Sequence, residues 1–496
     1  GPRPRARRGT ILVAAMWASI IIAAIVLVTA RVIKVDAQAT NNRASDAVAV
    51  AVEHGAEQYV LSLVEAAKGD PTYVTGAPAE SMYVGDRSLR SGGYFWIIRP
   101  DPADQREMIF GVVDEASKVS LNAASVEELS KLPGMTADVA AAIVDWRDPD
   151  ETVTGQGAES STYNRLKVPY NAKNAPFETV DELRLVIEPK FDQDKVRTNE
   201  LLYGYDTNRD GVLDVFEQQG GGLATGFSAG QGAGVGIAPF VTAYSRETAA
   251  RAAGGNAGPA DVNGDPGAVT QALVRAKIPQ SRATDIVTIA RNSRVVTGNA
   301  QRFSSVFDFC YAGTMRPDEV KLAYDQLAYA AAAAPGGGPG AAFRGRYIVG
   351  RMNVNTAPRE ALATLPGLDT SDADKLVSAR SGQAAGGSVA WVYEAIGPEK
   401  AAKVGNRLTN KSYQYSADIV AVTADGRSFR RVRVVVDGRT TPAKIIYRRD
   451  MTEFGWPLEP SIRDHLRSGG ELETPIGGGG GSSSGLGSGS MGDGGF

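Results

Sequence analysis

The stretch RGTILVAAMWASIIIAAIVLVTARVIK, residues Arg8–Lys34, decides the fold of this chain. Between Thr10 and Ala30 it holds 21 residues without a charge, enough for a helix of about 31 Å, close to the hydrocarbon thickness of a bilayer. Four arginines precede the run, and Arg31 and Lys34 follow it. Because the basic flank of such a segment stays in the cytoplasm, we expect one membrane-spanning helix with the bulk of the chain exported.

A cleaved secretory signal peptide is the main alternative for this segment. Signal peptides usually have an apolar region of about 7–15 residues, and the run here is longer. It also continues into Val32–Lys68, which is rich in Ala, contains no Pro and has apolar residues at roughly helical intervals. The sequence therefore predicts one helix over residues 10–68 that ends at Gly69-Asp70-Pro71.

Composition narrows the function of the remaining chain, which is long enough for two or three domains. A net charge of −3 gives no overall positive field that would attract nucleic acid. The single cysteine, Cys310, excludes an internal disulfide, so stability in an oxidising compartment must come from packing or bound metal. With only His54 and His465 present, most zinc sites and histidine-based catalytic sites are disfavoured, and we predict no catalytic residues.

Strand patterns occur early and late in the chain, with a long helical and loop-rich region between them. The predicted strands are Tyr94–Ile98, Met108–Val113, Tyr413–Thr423, Phe429–Val436 and Lys444–Tyr447. The simplest arrangement is one antiparallel sheet that combines both groups and packs on the N-terminal helix. The expected fold class is therefore α+β, with everything from about residue 115 to 410 inserted between two strands of one sheet.

The insertion contains a repeat, because Leu121–Arg147 recurs without a gap as Val354–Arg380. Each copy predicts two short helices joined by a Leu-Pro-Gly turn, and Asn122 and its counterpart Asn355 are expected to act as local turn or capping groups. The copies resemble helix-hairpin-helix units, whose DNA-binding members direct backbone N–H groups of a Gly-rich turn at a phosphate. Here Thr136 and Asp369 replace the second Gly, which favours a structural role over DNA binding.

The leader, Gly9, the apolar helix and its amphipathic continuation resemble a type IV pilin-like precursor. That resemblance implies cleavage by a prepilin peptidase between Gly9 and Thr10. Most subunits of this kind carry Glu at the fifth mature position, where its buried charge pairs with the N-terminus of a neighbouring subunit. This chain has Ala14 there, which suits the first subunit, at the tip of a filament.

Four further segments sharpen the resemblance to one family, the type II secretion minor pseudopilin K (GspK) proteins. They are Asp145–Asp150, Tyr170–Phe177, Val180–Leu183 and Met352–Pro358. The resemblance implies a non-enzymatic subunit of the bacterial inner membrane, single-pass with its bulk in the periplasm. It further implies a tip position that starts assembly with minor pseudopilins of the I and J types and with the major pseudopilin. Residues from Arg246 to Arg346 and the C-terminal tail are not covered by it.

These expectations divide the chain as follows: a basic leader (1–9), the transmembrane part of the helix (10–34), its periplasmic part (35–68), a pilin-like β domain (69–114 and 411–450), a first helical insertion with a calcium loop (115–246), a flexible, unassigned insertion (247–346), a second hairpin repeat (347–410) and a C-terminal tail (451–496) that is disordered from about residue 477.

One stretch predicts a metal site, because DTNRDGVLDVFE, from Asp206 to Glu217, has the spacing of a twelve-residue calcium loop. Calcium prefers 6–8 oxygen ligands at about 2.3–2.6 Å. The expected Ca²⁺ ligands are the side chains of Asp206, Asn208, Asp210, Asp214 and Glu217 and the carbonyl of Val212. Since no paired loop is evident, the site is expected to be structural rather than a sensor.

Two alternative functions remain from the sequence. The hairpin repeats would suit a membrane-anchored DNA-binding protein of the competence type, although binding of nucleic acid is not expected from the acidic turns. Gly226–Gly230 matches the nucleophile-elbow pattern around Ser228, but it lies in a Gly-rich loop rather than between a strand and a helix, so a hydrolase is disfavoured.

Overall fold

The computed structural model describes residues 8–75, 81–86, 91–101, 107–187, 198–207, 209, 211–213, 217, 234, 236–248, 258–296, 299–300, 302–329 and 347–472. It begins with α1, Arg8–Ala67, a single helix of 60 residues. The helix ends where Lys68 and Gly69 both take positive φ angles, 49° and 86°, a common way to stop a helix. The helix predicted over residues 10–68 is therefore present.

The first half of α1 has no cover within the chain. Large apolar side chains from Leu12 to Val35 are more than half exposed, and a window of 18 residues in this helix has a mean hydropathy of 2.6 with none of it buried. Among the described residues, α1 is the one helix that is both long enough and apolar enough to cross a membrane. Such a surface requires lipid or other proteins around it.

The α-helices that follow α1 are α2 (Thr72–Thr75), α3 (Val126–Ser130), α4 (Ala137–Arg147), α5 (Ser160–Tyr163), α6 (Thr198–Tyr203), α7 (Pro266–Arg275), α8 (Gln280–Ser293), α9 (Val306–Ala312), α10 (Pro317–Ala323), α11 (Arg359–Ala363), α12 (Thr370–Ala379), α13 (Val392–Ala395), α14 (Pro398–Val404) and α15 (Pro460–Arg467).

The strands are β1 (Met82–Asp86), β2 (Ser91–Pro100), β3 (Met108–Phe110), β4 (Val113–Asp114), β5 (Val119–Ser120), β6 (Val241–Thr242), β7 (Arg246–Thr248), β8 (Ala260–Asp261), β9 (Val295–Val296), β10 (Asn299–Ala300), β11 (Leu327–Ala328), β12 (Tyr347–Val349), β13 (Met352–Asn353), β14 (Leu408–Thr409), β15 (Gln414–Thr423), β16 (Phe429–Asp437) and β17 (Lys444–Asp450).

The main sheet joins the two ends of the chain. Its order is β1-β2-β15-β16-β17, with β3 paired to β2 and β4 paired to β15. The neighbouring strands are antiparallel, and Trp96 of β2 lies opposite Val420 of β15. The chain thus leaves the sheet after β4, forms the helical region and returns to the sheet at β15. The predicted α+β fold, with a long N-terminal helix on an antiparallel sheet, is confirmed.

The second half of α1 covers one face of this sheet. Val52, Ala56, Val60 and Val64 recur at four-residue spacing and are almost completely buried, as expected for the apolar stripe of a helix. They pack against the inward-facing side chains of β2, β15 and β16, such as Phe95. Because strand residues alternate between faces, the neighbouring Tyr94 and Trp96 point away from α1.

The opposite face is covered in part by the segment after β17. There Trp456 lies edge-on to Trp96 at 5.8 Å and to Phe429 at 5.6 Å between ring centroids, and Leu466 of α15 is 1% exposed. The sequence predicts a C-terminal tail from residue 451 onward. The described part of that tail, up to Leu472, instead completes this second apolar core.

Buried charge also joins α1 to the sheet. Arg448 of β17 donates to Glu57 at 2.8 Å and also pairs with Glu53, and Arg430 of β16 donates to Glu53 at 3.2 Å. The two glutamate side chains are only 2% and 9% exposed. Carboxylates buried this deeply at a helix–sheet contact depend on their arginine partners.

The helical region is held at its base by Asp114 of β4, which is 4% exposed. Its carboxylate accepts hydrogen bonds from Asn353 Nδ2 at 3.1 Å, from Thr356 Oγ1 at 2.8 Å and from Ser412 Oγ. Burial raises the pKa of Asp114. One side chain therefore links the start of the helical region, its second sequence repeat and the segment just before β15.

One continuous apolar core runs through the helical region from Val119 to Leu408. The segment 247–346 was predicted to be flexible, and this is wrong for its described part, because residues 258–296 and 302–329 contain four helices with buried side chains in this core. The strands on either side of that segment pair with each other, Arg246 of β7 opposite Val349 of β12. The two ends of the segment 247–346 therefore lie side by side where they join the rest of the helical region.

Candidate metal sites and hairpin units

The described part of the predicted calcium loop brings its first and last acidic residues inside the protein. Asp206 is 3% exposed and Glu217 is 8% exposed. The N–H of Gly211 donates to Asp206 Oδ2 at 2.8 Å, and the N–H of Thr207 donates to Glu217 Oε1 at 2.8 Å. Gly211 has a φ of 92°, so the turn needs the conformational freedom of glycine.

Three of the predicted ligands, Asn208, Asp210 and Asp214, lie outside the described residues. The remaining observations fit a metal loop. Both described carboxylates are buried, the glycine makes the sharp turn expected at its position, and Leu213 is 8% exposed, as expected if it fastens the loop to the interior.

The loop lies at the boundary between the sheet and the helical region. A cavity of about 510 Å³ separates the two parts here, and Asp206 and Gly211 line it together with Pro100 of β2 and Arg433 of β16. A Cβ atom at Gly211 would come within 2.9 Å of Pro100 Cγ. The backbone of the loop therefore approaches the sheet closely, and any side chain at this position would push the two apart.

A second group of acidic side chains, Asp145, Asp148 and Glu159, lies at the end of α4. One oxygen of each lies within 4.8 Å of the others, and Asp145 and Glu159 are 0% and 1% exposed. Among the described residues, Asp145 Oδ2, Asp148 Oδ1 and both carboxylate oxygens of Glu159 have no hydrogen-bond partner. Buried acceptors without donors are rare in native proteins and require a partner. We call this group the carboxylate cluster.

The electrostatics of the carboxylate cluster disfavour three negative charges in one place. Burial raises the pKa of all three carboxyls, and the neighbouring negative charges raise that of Glu159 further, to about 7. A Cβ atom at Gly157 would collide with the Asp145 carboxylate, so the backbone closes over the cluster. Several unpaired carboxylate oxygens in one buried place are the donor set of a hard divalent cation such as calcium.

The sequence offers Asp148 as a possible oxygen donor but does not connect it with Glu159. Asp145 and Asp148 lie in a segment used for the family resemblance, but Glu159 stands 14 residues after Asp145, and no short spacing connects them. They meet because the chain after α4 turns back on itself before α5, where Glu159 is the N-terminal flanking residue.

The sequence repeat corresponds to two similar hairpin units. The first pairs α3 with α4 and the second pairs α11 with α12, and the turn glycines Gly134 and Gly367 have φ angles of 68° and 72°. Arg147 closes the first unit by donating to Ala124 O at 2.5 Å. Arg380 donates to the corresponding carbonyl, that of Ala357, in the second.

The asparagines of the two units do not act as local caps, so that expectation is wrong. Asn122 Nδ2 donates to Phe177 O at 2.9 Å and its Oδ1 accepts from Phe177 N at 2.7 Å, 55 residues away. Asn355 Nδ2 donates to Gly387 O at 2.9 Å. The cap of α3 is Ser125, in a capping box with Glu128. Each asparagine instead fastens a distant segment to its unit.

The turns of the hairpin units are not arranged to receive phosphate. Thr136 accepts from Val139 N at 3.2 Å and Asp369 accepts from Asp372 N at 2.9 Å, so each second helix is capped by its own side chain. Lys131 of the first unit also donates to Leu365 O of the second at 2.9 Å. These contacts use the groups that a DNA-binding hairpin would offer to a backbone phosphate. Ser228, the residue of the hydrolase alternative, lies outside the described residues.

Comparison with known proteins identifies part of the chain. Residues 112–197 match the family model of type II secretion system (T2SS), protein K. No curated protein matches the sequence. One chain of the crystal structure of the GspK-GspI-GspJ complex from the enterotoxigenic Escherichia coli type 2 secretion system is similar over 84% of this chain and 99% of that one, at 11% identity and a TM-score of 0.31.

A TM-score of 0.31 is too low to establish a common fold, so the fold rests on the elements described above. The match to the family model rests on sequence and does not depend on this structural similarity. It contains the first hairpin unit and the whole carboxylate cluster, and it ends before the predicted calcium loop. The chain therefore carries a domain of the type II secretion system protein K family, and the family resemblance seen in its sequence is confirmed.

Proposed function

We propose that this chain is a membrane-anchored minor pseudopilin that lies at the tip of a short periplasmic filament and starts its assembly. The single observation that carries the proposal is that a protein K domain follows a helix whose apolar half is not covered by any other part of the described chain. Such a helix can lie in the bacterial inner membrane and then pack against the helices of other subunits. The partners we propose are minor pseudopilins of the I and J types and the major pseudopilin.

We further propose that a prepilin peptidase cleaves between Gly9 and Thr10, which places Ala14 at the fifth mature position. An uncharged residue there has no need of a partner charge from another subunit. The helical region also supports the tip position, because it emerges from the sheet as a bulky body that would hinder a further subunit above it. A particle with subunits beyond this one would contradict the tip position.

Bound calcium is proposed to have a structural role at two places. The carboxylate cluster would hold one ion through Asp145, Asp148 and Glu159, and the loop from Asp206 to Glu217 would hold another. The ion supplies positive charge and fixes the oxygens around it. In the first hairpin unit the chain runs from α4 to Phe177 through almost thirty residues, whereas the second unit needs about eight from α12 to Gly387. The longer connection has more need of a cross-link.

Replacing residues 10–34 with a polyleucine helix of equal length tests the assembly proposal. The variant should remain in the membrane, since it is equally apolar. It should lose co-purification with the other minor pseudopilins and fail to support secretion, because the specific side-chain packing between helices is gone. Wild-type protein and the variant should give the same proteolysis pattern in the periplasmic part, as a control for folding. A variant that still assembles and secretes would contradict the proposal.

Binding of duplex DNA is the other function that the hairpin repeat suggests. The capped helix ends and the turn of the second unit covered by Lys131 count against it. Titration of the detergent-solubilised chain with duplex DNA should show no affinity that falls steeply with salt. A steep salt dependence would instead favour the DNA-binding alternative.

A further inference from the structure

The segment 258–329, which has no recognisable repeat in its sequence, contains the same anchoring contacts as the hairpin units. Asn263 Nδ2 donates to Phe303 O at 3.1 Å, and Asn263 Oδ1 accepts from Phe303 N at 2.8 Å. The corresponding distances between Asn122 and Phe177 are 2.9 and 2.7 Å. In both places one asparagine amide fastens a distant phenylalanine by both of its backbone groups.

The closing arginine is present as well. Arg291 on α8 donates to Val262 O at 3.2 Å and to Gly264 O at 2.7 Å, as Arg147 on α4 does to two carbonyls at the start of the first unit. The turn between α7 and α8 contains Lys277 with a φ of 68°, the same value as the turn glycine of the first unit. The helix pair α7–α8 thus has the same asparagine contact, the same turn conformation and the same arginine contact as the first hairpin unit.

The segments that the asparagines hold are also alike. FETVDEL follows from Phe177 and FSSVFDF follows from Phe303, with a hydroxyl residue, Val and an acidic residue at the same spacing. Each leads into a helical turn, Val180–Leu185 in one case and α9 in the other. The similarity is hidden in the sequence because α7 has 10 residues where α3 has 5, so no gapless alignment exists.

The helix α9, which follows the third helix pair, packs on α13 and α14, which follow the second hairpin unit. The Phe307 ring of α9 is stacked on Tyr393 of α13 at 5.9 Å between centroids, and Tyr393 Oη donates to Met315 O at 3.3 Å. Both rings are buried, at 0% and 1% exposure. Gly405, at the end of α14, lies directly against Ser305 and Phe307. Without the third pair, the face formed by α13 and α14 would be an exposed apolar surface.

We propose that residues 258–329 are a third hairpin unit and that it acts as a built-in partner of the second, occupying the face of α13 and α14. This goes beyond the proposed function, because it assigns a role to a segment that the protein K match does not include. It also has a consequence for other subunits. Since its own chain occupies this face, partners that contact the helical region must bind to other surfaces.

Gly405→Ala is the direct test of the docking. The backbone of Gly405 is helical, with φ −58° and ψ −29°, so alanine is compatible with it. Its Cβ would press on Ser305 and lie 3.1 Å from Phe307 Cβ. In the detergent-solubilised full chain with calcium, we expect hydrogen exchange of α9, α13 and α14 to accelerate by about tenfold or more, with the sheet unchanged. Adding Ser305→Gly, which removes the side chain nearest to the new Cβ, should restore slow exchange at α13 and α14. The rescue is read at these two helices, because Ser305 also caps α9 by accepting from Asp308 N at 3.0 Å.

Asn263→Ala tests the identity of the unit and is independent of the docking variant. We expect hydrogen exchange to become faster at Phe303–Phe309 and to stay unchanged at Phe177–Leu183. Asn122→Ala should give the opposite result, with faster exchange at Phe177–Leu183 only. The proposal is overturned if Asn263→Ala leaves residues 303–309 unchanged. It is equally overturned if Gly405→Ala has no effect on exchange at α13 and α14, or if Ser305→Gly fails to reverse that effect.

Discussion

Arg448→Met is expected to lower the free energy of unfolding by about 3–5 kcal/mol, the usual loss when one partner of a buried ion pair is removed. The free energy is lost because the buried glutamates are left without a positive partner, not because the arginine itself is removed. Arg448 is 40% exposed, but Glu53 and Glu57, which it contacts, are 2% and 9% exposed. Methionine keeps most of the apolar stem and leaves Glu57 without its arginine between α1 and the sheet. Urea denaturation of the full chain in detergent, followed by tryptophan fluorescence, measures the loss.

Arg427→Met is the matched control, since Arg427 pairs with Asp425 at the turn between β15 and β16, where the two side chains are 61% and 48% exposed. Exposed pairs of this kind contribute about 0–1 kcal/mol, so this variant should be nearly as stable as the wild type. Equal effects of the two substitutions would show that the pairs between α1 and the sheet do not hold the helix.

Removal of calcium is expected to have the second large effect. A ligand present at about 100 times its Kd stabilises the native state by about 2.7 kcal/mol per site, and chelation should remove that contribution at each occupied site. The carboxylate cluster gives an additional signature. In excess calcium Glu159→Gln should be less stable than wild type, because a ligand is lost. In chelator it should be equally or more stable, because one of three mutually repelling carboxylates is gone.

Comparison of Glu159→Gln with Glu217→Gln separates the two proposed metal sites. Each variant should bind one calcium ion fewer than wild type in a direct titration, and the double variant should show no stabilisation by calcium. Glu127→Gln is the control, since that side chain is 69% exposed and outside both sites. If chelator leaves the unfolding midpoint of the wild type unchanged, neither site holds a structural ion.

The sequence predicts the parts of this molecule that depend on local pattern. The uncharged run after Gly9 and the continuous helical pattern predict α1. Short runs rich in apolar and β-branched residues, bounded by turn residues, predict β2, β15 and β16 of the sheet. The gapless repeat gives the first two hairpin units. The twelve-residue loop was found from spacing alone, because all its proposed ligands lie within one turn of chain.

The features that the sequence did not reveal depend on contacts between distant residues. Asp145 and Glu159 form one cluster only after the chain folds back. Asn122 forms its hydrogen bonds with Phe177, which lies 55 residues later in the sequence. The third unit was missed because one longer helix shifts its register relative to the other two. The segment from Met451 to Leu472 resembles a tail in sequence, because its few apolar residues, such as Trp456, show no clear period.

The mass of the mature chain extracted from membranes is the sharpest test of whether α1 anchors this protein. A subunit held in lipid by the helix that follows Gly9 should be recovered from the membrane fraction as a polypeptide beginning at Thr10. Recovery of a soluble polypeptide that begins beyond residue 34 would contradict this anchoring role, because the helix proposed to anchor the protein and to contact other subunits would have been removed.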